Sequence, residues 1–297
     1  MDGPKSVAHR FEEHRPRLRG IAYRMLGSHS EAEDAVQEAW LRLGRTAQTD
    51  IDDLGAWLTT VVARIALNML RARKTRTDTY VPDPIVEPLA DTPSPEHEAV
   101  LANTIGLALL VVLETLAPPE RVAFVMHDVF GVPFEEIALV LERTPDAARQ
   151  LASRARRRVQ DRNATPDADV RAQRKVVEAF AAAARDGDLH GLLAVLDPDV
   201  VLRADAGSTG LAGGGRSHET RGAERVGRGA VAFSQVGLVR VPALVNGAAG
   251  LVCLREGKPY SVMAFVIRDG KVAEIDILAD PERVARLDWS AFGVDRS

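Results

Sequence analysis

The sequence predicts a multidomain chain: two all-α modules followed by one α+β domain. Three observations lead there. Apolar residues recur at helical spacing from residue 7 to residue 162, with a break at 77–96 where prolines crowd together. Inside the second helical stretch, Val132 to Arg158 has the pattern of two short helices joined by a tight turn, the second loaded with arginine. After a short polar segment at 163–169 the texture changes to β-branched runs separated by Asn246-Gly247, Glu256-Gly257 and Asp269-Gly270, which are hairpin-turn signals.

In the first module, 7–76, Ser30-Glu31-Ala32-Glu33 has the form of a capping box. Behind it Ala32, Ala35, Val36, Ala39, Trp40 and Leu43 make a buried stripe. The other face carries Asp34, Gln37, Glu38 and Leu41 at i, i+3, i+4, i+7. That row fits a docking surface, although by itself it reads first as a solvated face with one stray leucine. The next helix, from Ala56, turns Trp57, Leu58, Val61, Val62 and Ile65 inward, with Thr60, Arg64, Asn68 and Arg71 along another side. It ends in Arg71-Ala-Arg73-Lys74-Thr-Arg76, four basic residues in six. A cationic helix end beside a polar face suits a phosphate backbone.

Residues 77–96, with Tyr80-Val-Pro82-Asp-Pro84, Pro88, Pro93 and Pro95, space prolines too closely for helix or sheet and predict an extended linker. The second module, 97–162, opens with an apolar helix from Val100 to Leu116. After Ala117-Pro118-Pro119 a further helix runs to Phe130 and stops at Gly131. Phe134, Ile137, Ala138 and Leu141 then form one face of a short helix. Thr144 offers its hydroxyl as an N-cap, and Pro145 suits the first helical position. In the second helix of the pair Ala148, Leu151, Ala152, Ala155 and Val159 point inward, with Arg149, Gln150, Ser153, Arg154 and Arg157 outward. From Arg149 to Arg162 six arginines face a single acid, Asp161. Such a helix can place its N-terminal side chains in a major groove and its later arginines on phosphates; the plainer alternative is a solvated basic helix on an ordinary bundle.

The third domain, 170–290, begins with an amphipathic helix from Val170 to Ala184 and a short helix ending at Asp197-Pro198. A short strand, Val200 to Asp205, follows. Leu238–Val245, Leu251–Arg255, Tyr260–Ile267 and Val272–Leu278 then predict an antiparallel meander. Asp205, His218 and Glu219 are its acid/base candidates, and no spacing brings two of them together across a cavity, so no catalytic residue is expected.

Composition narrows the classes. The 297 residues carry a net charge of −4, so any nucleic-acid surface has to be local. One cysteine, Cys253, rules out an internal disulfide framework and fits a reducing compartment. The seven histidines are scattered, and neither a metal nor another cofactor is expected. No apolar run approaches the ~20 residues that span a bilayer, and the N-terminus lacks an apolar signal core, so a cytoplasmic protein without a membrane partner is expected.

Several ordered motifs resemble one family: Arg24-Met-Leu-Gly, Ser30 to Leu43, Gly55 to Arg71, Leu116-Ala-Pro-Pro-Glu-Arg121 and the helix-turn-helix. Together, over about 7–162, they resemble the extracytoplasmic-function (ECF) sigma factors of bacterial RNA polymerase. The resemblance implies a region 2 bundle at 7–76 and a region 4 helix-turn-helix at 97–162. It implies that Asp34, Gln37, Glu38 and Leu41 dock on core RNA polymerase. Arg64, Asn68, Arg71, Arg73 and Lys74 would meet the −10 element as single-stranded promoter DNA. Thr144, Arg149, Gln150, Ser153, Arg154 and Arg157 would meet the −35 duplex. The third domain resembles the SnoaL-like branch of the NTF2-like α+β cone fold, and the combination resembles the ECF41 subgroup and the similar SigJ type. In that subgroup the extension acts in cis, with no separate anti-sigma factor. Its linker motif, Trp-Leu-Pro-Glu-Pro, corresponds to Tyr80, Val81, Pro82, Asp83 and Pro84. Its Asp-Gly-Gly-Gly-Lys motif corresponds to Ala212, Gly213, Gly214, Gly215 and Arg216, with the acid missing. Core polymerase and promoter DNA are the implied partners, with a small ligand in the third domain as a further one. The alternative function is a DNA-binding regulator whose C-terminal domain is a small-molecule sensor or a SnoaL-like isomerase or cyclase.

Overall fold

Helix α1 (Val7–Leu26), helix α2 (His29–Leu43) and helix α3 (Leu54–Ala72) pack side by side around Phe11, Leu18, Ile21, Met25, Val36, Leu58 and Val62, all essentially inaccessible. The computed structural model describes residues 7–46, 51–73, 80–89, 107–161, 169–207, 217–234 and 236–292. It separates into two compact units. One comprises Met1–Thr75 with Val112–Arg162, the other Arg76–Val111 with Asn163–Ser297.

In the first unit the capping box does not form. Helix α2 starts at His29 with Ser28 before it and no side-chain cap bond, so Ser30 lies in the first turn, its hydroxyl 3.1 Å from that of Ser28, and Glu33, the acid of the expected box, is drawn instead to Arg19 at 3.2 Å. A guanidinium competes well for a carboxylate that would otherwise reach back to a single amide. Helix α3 is capped by Asp53, whose Oδ1 accepts from the Ala56 amide at 3.0 Å. Beyond helix α4 (Leu107–Glu114), the described part of the long apolar helix expected from Val100, helix α5 (Pro118–Phe124) runs into a π-helical turn at Val125–Val129. The paired helices follow as expected: α6 (Phe134–Leu141) ends on Glu142 in the left-handed region, and α7 (Pro145–Asp161) starts behind Thr144, whose hydroxyl accepts from the Ala147 amide at 3.2 Å.

Arg121 sits at the centre of this unit with 2% of its side chain exposed. It donates to the carbonyls of Leu113 and Met25, each at 2.7 Å, and to Glu114 at 3.0 Å. The orphan carbonyls at two helix ends are satisfied by one side chain.

The second unit is a seven-stranded sheet with the order β1-β4-β5-β6-β7-β2-β3. The strands are β1 (Val86–Pro88), β2 (Leu196–Asp205), β3 (His218–Arg221), β4 (Val239–Val245), β5 (Ala248–Arg255), β6 (Lys258–Arg268) and β7 (Lys271–Leu278). Helices α8 (Val170–Asp186), α9 (Leu189–Val195) and α10 (Ala223–Ser234) pack on one face through Val177, Phe180, Leu192 and Val226 against Leu251, Met263, Phe265 and Ile275. A short helix α11 (Pro281–Arg286) follows the last strand.

The meander β4–β7 forms as expected. At each of its turns a non-glycine with φ of 49 to 53° precedes a glycine with φ of 71 to 77°, the left-handed pair that a two-residue hairpin needs. Four expectations need correction. Residues 86–88, assigned to a linker outside any sheet, pair antiparallel with β4 in register Val86↔Val245 and Pro88↔Ala243; β1 is an edge strand, where proline costs no ladder bond on the open side. Strand β2 starts four residues early and lies parallel to β7, which periodicity cannot encode. His218 and Glu219, expected in a polar loop, belong to β3. Helix α10 was not expected at all, since its two glycines mask the amphipathic pattern.

Candidate functional site

On α2 the buried stripe leaves Asp34, Gln37 and Leu41 exposed in one row, with Glu38 beside them and paired to Arg42 at 2.9 Å. Leu41 is one of three large exposed hydrophobic side chains among the described residues, at 45%. An apolar side chain held outward between acids and an amide fits a protein-docking surface better than a wholly solvated face would.

On α3, Arg64, Asn68 and Arg71 lie exposed along one side. Arg64 donates to the Leu139 carbonyl of α6 at 2.8 Å. Arg73 departs from the set. Its side chain is 13% exposed, pairs with Glu31 and donates to the Leu26 carbonyl at 2.6 Å. Lys74 lies outside the described residues.

On α7 the inward stripe is Ala148, Ala152 and Ala155, with Leu151 and Val159 partly covered. Thr144, Arg149, Gln150, Arg154 and Arg157 are exposed, and Ser153 is half-buried. The arginines are not equivalent. Arg149 pairs with Asp146 at 2.5 Å, and its guanidinium lies 5.1 Å from the Phe134 ring. Arg154 and Arg158 share Glu120 at 3.3 and 3.0 Å, and Arg156 pairs with Asp128. Arg157 has no ion pair among the described residues. The outward charge is therefore set by which acids lie below the helix.

The Tyr80–Pro84 motif is anchored in the second unit. Val81, Pro82, Asp83 and Pro84 are buried. Arg283 donates to Asp83 at 2.8 Å and to Asp205 at 2.7 Å, and its guanidinium lies 4.3 Å from the Tyr80 ring centroid. The Val81 amide donates to Asp205 at 3.1 Å, and the Ile85 amide to Asn246 Oδ1 at 2.9 Å. Burial alone would weaken the Arg283 charge; Tyr80, Asp83 and Asp205 outweigh it and hold the group protonated. Gly213, Gly214, Gly215 and Arg216 lie outside the described residues.

The acid/base candidates of the third domain are kept apart. Asp205 is engaged by Arg283 and by the Val81 amide. Glu219 pairs with Arg203 at 3.3 Å and Arg221 at 2.8 Å. His218 alone lines a cavity of about 140 Å³ on the helix-bearing face. Behind Glu219, Arg203 also meets Glu274 at 2.8 Å and Asp276 at 3.1 Å. Desolvation pushes the Asp276 carboxyl up to about 6 against the pull of Arg203, while Asp276 and Glu274 together outweigh the burial of Arg203 and raise its pKa. Arg121, Arg283 and Asp83 were missed as key contacts from sequence; Arg121 and Asp83 had stood out only as letters in motifs.

Family models for Sigma-70 region 2 and Sigma-70 region 4 match residues 10–76 and 106–159. The chain is 40% identical over 291 residues to "ECF RNA polymerase sigma factor SigJ" of Mycobacterium tuberculosis, covering 92% of this chain and 91% of the relative. It is 34% identical over 290 residues to "Probable ECF RNA polymerase sigma factor SigI" of the same species, with 96% of each covered. The crystal structure of the Mycobacterium tuberculosis extracytoplasmic function sigma factor SigJ superposes with a TM-score of 0.70 at 37% identity, covering 94% of this chain and 98% of that one.

Proposed function

The chain belongs to the extracytoplasmic-function family of RNA polymerase sigma factors, and on that premise we propose how its residues divide the work of a promoter-directing subunit. Core RNA polymerase and promoter DNA are its partners through the sigma regions. Asp34, Gln37, Glu38 and Leu41 form the face that docks on core polymerase, supported by the one exposed leucine in that row. Arg64, Asn68 and Arg71 meet the −10 strand, with Lys74 beside them, and Arg73 serves the fold instead. Gln150, Arg149 and Ser153 face the −35 major groove from the N-terminal turns of α7, while Thr144, Arg154 and Arg157 hold phosphates. The work takes place in the cytoplasm, where the polymerase is; no helix among the described residues is long and apolar enough to cross a membrane.

The C-terminal domain regulates in cis. The single observation that carries this is that the connector between the two sigma regions is a strand of the C-terminal sheet, β1 on β4, fastened by Arg283. A connector held in a sheet cannot extend freely, so the distance the two DNA-binding regions can span depends on whether that strand stays docked. The domain acts without catalysis, because its acid and base candidates are separated and, among the described residues, no Asp or Glu lines its cavity. It serves as a cup for a small ligand, and no separate anti-sigma factor is required.

Run-off transcription with core polymerase tests this on the full chain. Asp34→Arg is expected to lose core binding while keeping its melting temperature. Arg283→Glu is expected to bind core normally and to transcribe at a different level. Equal transcription by Arg283→Glu and the parent would remove the docked strand from regulation.

A further inference from the structure

The cavity on the helix-bearing face of the second unit is lined by apolar side chains, chiefly Phe180, Leu202, Phe233, Cys253, Met263 and Ile277. Its volume of about 140 Å³ resembles that of apolar cavities known to admit a single benzene ring. The polar part of its wall has one sign. Arg225 of α10 and Arg240 of β4 line it, with His218, and among the described residues no acid does. Arg240, half-buried, stands opposite Cys253 in the β4–β5 ladder, and Cys253 opposite Ser261 in the next, so the cation shares a row of the sheet with two residues that line the cup.

Both arginines stand without a carboxylate partner among the described residues, as the exposed Arg171 and Arg255 of the same unit also do. Elsewhere in the unit Arg174, Arg203, Arg221, Arg228, Arg268 and Arg283 each hold a carboxylate. Arg225 is exposed and Arg240 half-buried, so both keep their charge in water at the mouth of an apolar cavity, where an anion from outside can bind them. A guanidinium is suited to a planar carboxylate. Wall and rim together ask for a molecule with an apolar body of ring size and one anionic end.

We propose that this cup binds a small apolar monocarboxylate, an aromatic or short-chain aliphatic acid, with its ring or chain against Phe180, Phe233 and Met263 and its carboxylate on Arg225 and Arg240. This deepens the reading of the C-terminal domain as a ligand cup, and it is tested without polymerase, so failure of the regulatory reading would show in transcription and failure of this one in binding.

Isothermal titration of the full chain with benzoate and hexanoate, and with benzyl alcohol as the neutral body, is the experiment. Saturable one-to-one binding of an acid is expected, with benzyl alcohol at least about tenfold weaker, since an ionic hydrogen bond on Arg is lost. Arg225→Gln with Arg240→Gln should remove that preference. Gly229 of α10 lines the cup, and a Cβ built there meets nothing within 4 Å; Gly229→Leu should therefore fold normally and block the acid. No saturable binding of either acid, equal binding of acid and alcohol, or acid binding that survives Gly229→Leu in a folded protein would each overturn the proposal.

Discussion

Helices α3 and α7 both carry arginine-rich ends, and their arginines do opposite work. On α3 the last described cation, Arg73, is turned inward onto Glu31 and the Leu26 carbonyl, leaving Asn68 and Arg71 to face out. On α7 the cations stay exposed, and acids from α5 and the π turn hold Arg154, Arg156 and Arg158 from below. The count of basic residues is similar in kind; the location of the nearest carboxylate decides which become surface charge. A basic run in a sequence is therefore an upper bound on a nucleic-acid footprint.

The sharpest way to test this division is at Arg121, the most inward arginine of all. Arg121→Ala removes three hydrogen bonds, takes from Glu114 its nearer cation and leaves two helix-end carbonyls without this donor. Breaking a buried charge pair from one side costs about 3–5 kcal/mol. A large fall in melting temperature of the helical unit, with loss of core binding through unfolding, is the expected result by calorimetry. A fall of only a degree or two would mean that Arg121 is not the tie it resembles.

Arg73 and Arg71 give the direct comparison. Arg73→Ala should lower stability by about 2 kcal/mol, the value of hydrogen bonds to a charged group, and leave promoter affinity of the folded holoenzyme unchanged. Arg71→Ala should do the reverse, with stability within about 0.5 kcal/mol of the parent and weaker promoter binding. If Arg73→Ala costs affinity and not stability, the inward contact is not kept in the bound state.

Much of this was legible in the sequence. The helix-turn-helix followed from Thr144, Pro145 and the alternating faces, because caps and periodicity are local. The meander followed from Asn246-Gly247, Glu256-Gly257 and Asp269-Gly270, whose backbone demands are local too. What was not legible depends on residues far apart in the chain. Glu33 looked like half of a capping box because its partner, Arg19, is on another helix, 14 residues away. Residues 86–88 looked like linker because β4 lies more than 150 positions further on. Asp205 looked like a catalytic acid because its partners, Arg283 and the Val81 amide, are 78 and 124 residues distant. The docking row Asp34 to Leu41 lay between: its exposure could be inferred, its use only from the family.

Smaller effects separate the outward arginines of α7. Arg157 has no ion pair among the described residues, whereas Arg154 is shared with Glu120. Arg157→Ala should make the dependence of log affinity on log salt shallower by about 0.9, one phosphate contact, at unchanged stability. Arg154→Ala should change that slope less, since Glu120 already neutralises part of its charge. Equal slopes for the two variants would mean that Glu120 releases Arg154 on DNA.

The smallest effect concerns a buried pair in the other unit, where charge is neither outward nor cheaply satisfied. Asp276 meets Arg203, with Glu274 and Glu219 around the same guanidinium. Its carboxyl sits up at about 6, above the ~3.9 of an unfolded aspartate. Between those values the folded chain holds a proton that the unfolded chain releases, so this residue's contribution to stability grows as pH falls through 6 and is lost as pH rises through it. Asp276→Asn cannot titrate. The melting temperature of the parent relative to Asp276→Asn should therefore improve, by a few degrees at most, on going from pH 7.5 to pH 5. A difference that moves the other way would mean that the pull of Arg203 outweighs desolvation, and that Asp276 stays ionised in the folded chain below the ordinary carboxylate range.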